Sequence, residues 1–191
     1  MRDSLSSDET RAFDDYCMIP RYWPDSPLPS YAFVPGRSPH PVSDPQGHSF
    51  GITSVPPKSF TAEEWTMSRD YLFGIDLFNH GYYWEAHEAW EALWHACGRR
   101  GRSADFLKGL IRLAAAGVKV REGRPRGVVS HARAAADLFR RTGAPDERCL
   151  GLSLGELTRF SDTVADGPPT SRDPAAPVEV VFALTLRPEP P

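Results

Sequence analysis

The sequence predicts an all-α protein, a compact antiparallel bundle of four to five helices with extended arms at both ends. Three observations carry this. After residue 60, four stretches of about 14–20 residues repeat apolar side chains at helical spacing, and the loops between them are about 3–6 residues, short enough to make neighbours antiparallel. Ten of the 19 prolines fall before residue 60, where they exclude a helix. Residues 178–186, V-E-V-V-F-A-L-T-L, have the content of a short strand but no clear partner, and so are also expected to dock as an extended tail.

A chain of 191 residues with 40 % apolar and 11 % aromatic content suits one soluble domain with a real core. No run approaches the roughly 18 apolar residues of a membrane span, and the start, M-R-D-S-L-S-S-D-E-T, has no leader-like apolar segment. Cys17, Cys97 and Cys149 are odd in number and far apart, which fits a reducing compartment better than a disulfide framework. The expected location is the cytoplasm, with no membrane partner.

Residues 1–60 read as an arm, 61–165 as the bundle and 166–191 as linker and tail. The first 19 residues are polar and acidic, a frayed end or short helix anchored by Phe13, Tyr16, Met18 and Ile19. Between residues 20 and 57, Tyr22, Trp23, Tyr31, Phe33 and Phe50 alternate with the prolines. Disordered tracts are poor in aromatics, so this arm is expected to lie against the body. It carries His40 in S-P-H-P and His48 in Q-G-H-S.

Thr61-Ala62-Glu63-Glu64 is a capping box that opens the first helix, which runs to about Phe78 and stops at Asn79-His80-Gly81. The second helix occupies residues 81–97. A third follows from a Ser103 cap to about Glu122, with Phe106, Leu110, Leu113, Ala114 and Gly117 inward. Gly109 and the run 114–117 make it slim, so a neighbour can approach closely, and a homodimer through the helices is compatible with that surface. Pro125 starts a fourth helix that buries Val128, Ala132, Ala135, Ala136 and Phe139, with His131 on its border. After a break at 143–145, the capping box Ser153-Leu154-Gly155-Glu156 opens a fifth.

Chemistry concentrates in residues 81–97, G-Y-Y-W-E-A-H-E-A-W-E-A-L-W-H-A-C. At 100° per residue, with His87 at zero, Trp94, Tyr83 and Trp90 fall within about 60° on one side and Glu91 at about 40° on the other. Glu88 and His95 follow, while Glu85 takes the far side. His87 is therefore expected inside the aromatic stripe with Glu91 one turn away. Such a pair is either a hydrogen-bonded strut in the core or the start of a divalent-metal or small-ligand site. His87, Glu91 and His95 could supply ligands, His40 or His48 could add nitrogens from the arm, and Glu88 could act as general base. Zinc, manganese or iron(II) would suit such a set. H-E-A-W-E lacks the second histidine of the zinc-protease motif H-E-x-x-H.

The net charge of −3 conceals a balance of −8 over residues 1–98, +9 over 99–141 and −4 beyond. Lys108, Arg112 and Lys119 share one face of the third helix and are candidates for polyanion binding, nucleic acid included, although basic helix faces are more often simply solvated.

Gly81-Tyr82-Tyr83-Trp84-Glu85-Ala86-His87-Glu88 with Trp90-Glu91 and Trp94, followed by F-L-K-G-L-I-R-L-A-A-A at 106–116 and the basic turn at 121–127, resembles the family called domain of unknown function 309. The arm, with Y-A-F-V-P-G at 31–36, resembles a longer subgroup of it. Lys108 stands where glutamine is usual. The resemblance implies a compact helical bundle and no assigned activity. Three classes of function stay open: a metal- or ligand-binding domain, with a hydrolase as one form of it, a non-enzymatic interaction module braced by its His-Glu pair, and a nucleic-acid accessory protein.

Overall fold

The computed structural model describes residues 19–53 and 55–190. The expected end segment with Phe13, Tyr16 and Met18, and also Cys17, lies outside them. Five α-helices make the body: α1 (Arg69–Asn79), α2 (Tyr83–Ala96), α3 (Arg102–Arg121), α4 (Pro125–Thr142) and α5 (Leu154–Asp166). Each packs on the next in chain order. The sheet among the described residues is one tiny antiparallel hairpin, β1 (Arg148–Cys149) with β2 (Leu152–Ser153), and Arg148 stands opposite Ser153. The protein is an all-α bundle.

Helix α3 is the central one. From Phe106 to Arg121 only Lys108, Arg112, Ala115 and Lys119 keep partial exposure, at a spacing that puts all four on one face. Its slimness is used inside the chain. A Cβ on Gly117 would stand 2.5 Å from the ring of Tyr83, and Gly109 lies under the ring of Phe139. These glycines let α2 and α4 close on α3 from either flank.

The first helix starts later than its capping box predicts. Thr61 N–H does donate to Glu64 Oε2 at 3.0 Å, but the box closes only on a single 3₁₀ turn, Trp65–Met67. Extended backbone at Ser68 interrupts it, and the Ser68 Oγ caps α1 by accepting from Tyr71 N–H. The burial of Trp65, edge-on to Tyr71 at 5.9 Å, holds that turn in place. Likewise α3 is capped by Gly101 at φ +89°, not by Ser103. Arg102 fastens its start to the end of α4, donating to Thr142 O at 3.1 Å and pairing with Glu147.

The hairpin has no strong sequence signal. Leu150 and Gly151 both adopt positive φ, 48° and 81°, as a two-residue turn of the primed type requires. Leucine rarely takes that conformation, and the usual Asn-Gly or Asp-Gly pair is absent.

Buried polar side chains of α1 and α2 capture both arms by their backbones. The carboxylate of Asp76, wholly inaccessible, accepts from Tyr22 N–H at 2.6 Å, Trp23 N–H at 2.8 Å and Arg21 Nε at 3.0 Å. Asn79 exchanges two hydrogen bonds with Leu186, Nδ2 donating to its carbonyl and Oδ1 accepting from its N–H. The Tyr83 hydroxyl accepts from Val181 N–H and Phe182 N–H. Phe182 then packs its ring among Phe78, Tyr83 and Phe160. The tail thus docks as extended chain and forms no strand. The two arms also meet, Ala32 N–H donating to Pro177 O at 2.9 Å.

Candidate functional site

The buried side of α2 is centred on Ala86, Trp90 and Leu93, each with no measurable exposure. His87 lies at the edge of that face, its side chain 25 % exposed, and not in the middle of it as the aromatic spacing suggests. The reason is that the three tryptophans do different jobs. Trp90 is core, and its Nε1 donates to Tyr71 O at 3.2 Å. Trp84 lies half-buried beneath Phe33 and His40 of the arm. Trp94 is half-buried too, with Lys108 Nζ 4.2 Å above its ring.

At this edge three side chains converge. His87, Glu88 and Glu91 each place one ligand-type atom within 4.8 Å of the others. The His87 Nδ1 is buried and has no hydrogen-bond partner among the described residues. It lies 3.4 Å from Glu88 Oε1, near enough for attraction but outside hydrogen-bond geometry. The expected strut between His87 and Glu91 is therefore not the arrangement at Nδ1. A tetrahedral ion with bonds of about 2.1 Å would draw its ligands to about 3.4 Å apart, a change within rotamer reach of the present spacing.

His95 is exposed and packs against the Trp94 ring at 5.1 Å, outside the cluster. On the next two helices, Arg112 Nη1 of α3 stands 3.5 Å from His131 Nδ1 of α4. Burial holds the His131 pKa below the usual imidazole range, and the charges of Arg112, Lys119 and His87 push the same way. At neutral pH this ring is uncharged.

The arm histidines come down on the other side of α2. His48 Nε2 lies 3.1 Å from Glu85 Oε1, an oxygen that also accepts from Phe33 N–H at 2.8 Å. His40 stacks edge-on to Trp84 and Phe33. Glu85, assigned by helical spacing to the far side, is in fact buried beneath the arm. A polar strut does exist on α2, but it joins the arm to Glu85. No residue pattern announces it, because one of its donors is a backbone N–H.

Residues 71–131 match the model of a family described as Domain of unknown function (DUF309). The matched segment takes in most of α1, all of α2 and α3, and the start of α4. The matched segment holds the His87 cluster, His95, Lys108, Arg112 and Lys119, while His40, His48 and both arms lie outside it. Among curated proteins nothing matches the chain. No helix among the described residues is long and apolar enough to cross a membrane.

The three basic candidates line the half-exposed stripe of α3, and each already faces a partner. Lys108 caps Trp94, Arg112 faces His131, and Lys119 donates to both oxygens of Glu122 at 2.7 and 2.9 Å. Two further residues had no signal in the sequence. Arg121 is buried, with Nε and Nη1 lacking hydrogen-bond partners among the described residues, and Glu179 of the tail lies 3.7 Å from its Nε.

Proposed function

We propose that the helical core binds a divalent metal ion through His87, Glu88 and Glu91. One observation carries the reading: His87, Glu88 and Glu91 gather ligand-type atoms within 4.8 Å of one another, and the His87 Nδ1, 3.4 Å from Glu88 Oε1, is buried with no hydrogen-bond partner among the described residues. An unpaired buried polar atom is costly, and a cation between these groups would satisfy all three at once. One imidazole nitrogen with two carboxylate oxygens suits zinc, manganese or iron(II). Only three ligands come from protein, so an ion held here would keep a position for water and could lower its pKa.

The test is metal stoichiometry. The purified chain is stripped with chelator and titrated calorimetrically with zinc, manganese and iron(II). About one equivalent should bind, and both His87→Ala and Glu91→Gln should lose it while keeping their helical circular dichroism. Absence of binding, or unchanged binding in the folded variants, would leave the domain as an interaction module whose cluster is not a metal site.

A further inference from the structure

We infer that the corner between α3 and α4 is a binding site for a small phosphate-type oxyanion, separate from the His87 cluster. A hollow of about 170 Å³ opens there, far more than the roughly 10–15 Å³ that admits one water. Its walls come from three parts of the chain: Arg37 of the arm, the turn at Gly123 to Pro125, and the tail around Ser171.

Arg121 is one of its lining residues, with a side chain only 3 % exposed. Nη2 donates to Ala176 O at 2.6 Å, whereas Nε and Nη1 have no hydrogen-bond partner. A buried guanidinium with unmade hydrogen bonds calls for an acceptor, and its planar fork matches the oxygens of a phosphate. Glu179 does not fill that role. Its Oε2 accepts from Ser171 Oγ at 2.5 Å and its Oε1 from Arg172 N–H at 2.6 Å, so the carboxylate is turned to the tail and reaches Arg121 only at 3.7 Å.

The surroundings favour an anion further. Lys119 and Arg124 share a single carboxylate, Glu122. Arg37, Lys119, Arg121 and Arg124 thus outnumber Glu122 and Glu179 around the hollow. The start of α4 adds its own field. Arg124 provides no side-chain cap, Pro125 opens the helix, and its first turn holds no acidic residue. The positive end of the helix dipole is left without an internal counter-charge.

Calorimetric titration of the full chain with inorganic phosphate, at fixed ionic strength set by chloride, tests this. Saturable binding of one phosphate per chain is expected, with sulfate competing. Arg124 is 71 % exposed, so Arg124→Ala should keep its thermal midpoint yet bind about tenfold more weakly, as should Arg37→Ala. Arg121→Lys should bind more weakly still, since an ammonium cannot offer the fork. Methyl phosphate that competes would mark a phosphomonoester pocket, and methyl phosphate that fails would mark one for the free ion. No saturable heat, or binding unchanged in the Arg37→Ala/Arg124→Ala double variant, would overturn the assignment.

Discussion

His48 of the arm and Glu85 of α2 stand 3.1 Å apart, Nε2 to Oε1, under a cover formed by the arm itself. The other carboxylate oxygen, Oε2, is buried without a hydrogen-bond partner. The contact makes the proline-rich segment part of the folded body, and it places a titratable group where burial works against its charge.

That contact predicts a pH dependence. Burial raises the Glu85 pKa, against the opposing hydrogen bonds from Phe33 N–H and His48. The folded chain therefore holds this proton more tightly than the unfolded chain does. The contribution of Glu85 to stability is complete below its unfolded pKa, about 4.3, and is lost as pH rises through the raised folded value. Glutamine does not titrate. Urea unfolding should thus show the stability of wild type relative to Glu85→Gln greatest near about pH 4 and declining toward neutrality. A relative stability that grows with pH would show instead that attraction between imidazolium and carboxylate governs the pair.

Asp76 should be the main anchor of the arm. It is fully buried and accepts three hydrogen bonds, one from the Arg21 guanidinium. Asp76→Asn keeps the shape but removes the charge facing Arg21, and a loss of about 3 kcal/mol is expected. Trypsin should then cut faster after Arg37 and Lys58 than in wild type, with the helical body cleaved later. Equal cleavage rates at those sites would mean that Asp76 does not hold the arm.

Gly117→Ala should be disproportionately costly for one methyl group. The new Cβ would stand 2.5 Å from the Tyr83 ring, and that ring cannot withdraw freely because its hydroxyl holds Val181 N–H and Phe182 N–H. Overpacking of this kind typically costs about 1–3 kcal/mol, despite the better helix propensity of alanine. Thermal melting measures it directly, and an unchanged midpoint would contradict the close approach of α2 to α3.

Metal binding by the His87 cluster should register in stability as well as stoichiometry. A ligand that binds only the folded chain adds about 2.7 kcal/mol at 100 times its dissociation constant. Zinc or manganese should therefore raise the melting temperature of wild type and leave that of Glu91→Gln unmoved. Chelator should reverse the rise.

The helical body could be read from spacing because periodic burial is a local property. Residues 83–96 and 125–142 fell where apolar repeats, glycine stops and Pro125 put them, and the inward residues assigned to α3 and α4 are all buried. The cluster of His87, Glu88 and Glu91 was legible for the same reason, since a single helix sets those distances. Errors arose where one residue answers to two neighbours. Helical spacing sees only one apolar side of α2, so it placed Glu85 outward and His87 inward. The arm supplied a second cover that buried Glu85, while His87 lies at the edge of the buried face.

By itself the sequence determined an all-α bundle, its His-Glu helix and its likeness to the family whose model matches residues 71–131, because these depend on periodicity, caps and motif order within short windows. Tertiary structure alone decided which polar groups are buried. Asp76, Asn79 and Glu85 are stabilised by backbone N–H and C=O groups of arms about 50 to 107 residues away in the chain. Backbone donors and acceptors are the same at every residue. Only the folded path of the chain determines which of them meet these side chains, and which nitrogens of His87 and Arg121 stay unpaired among the described residues.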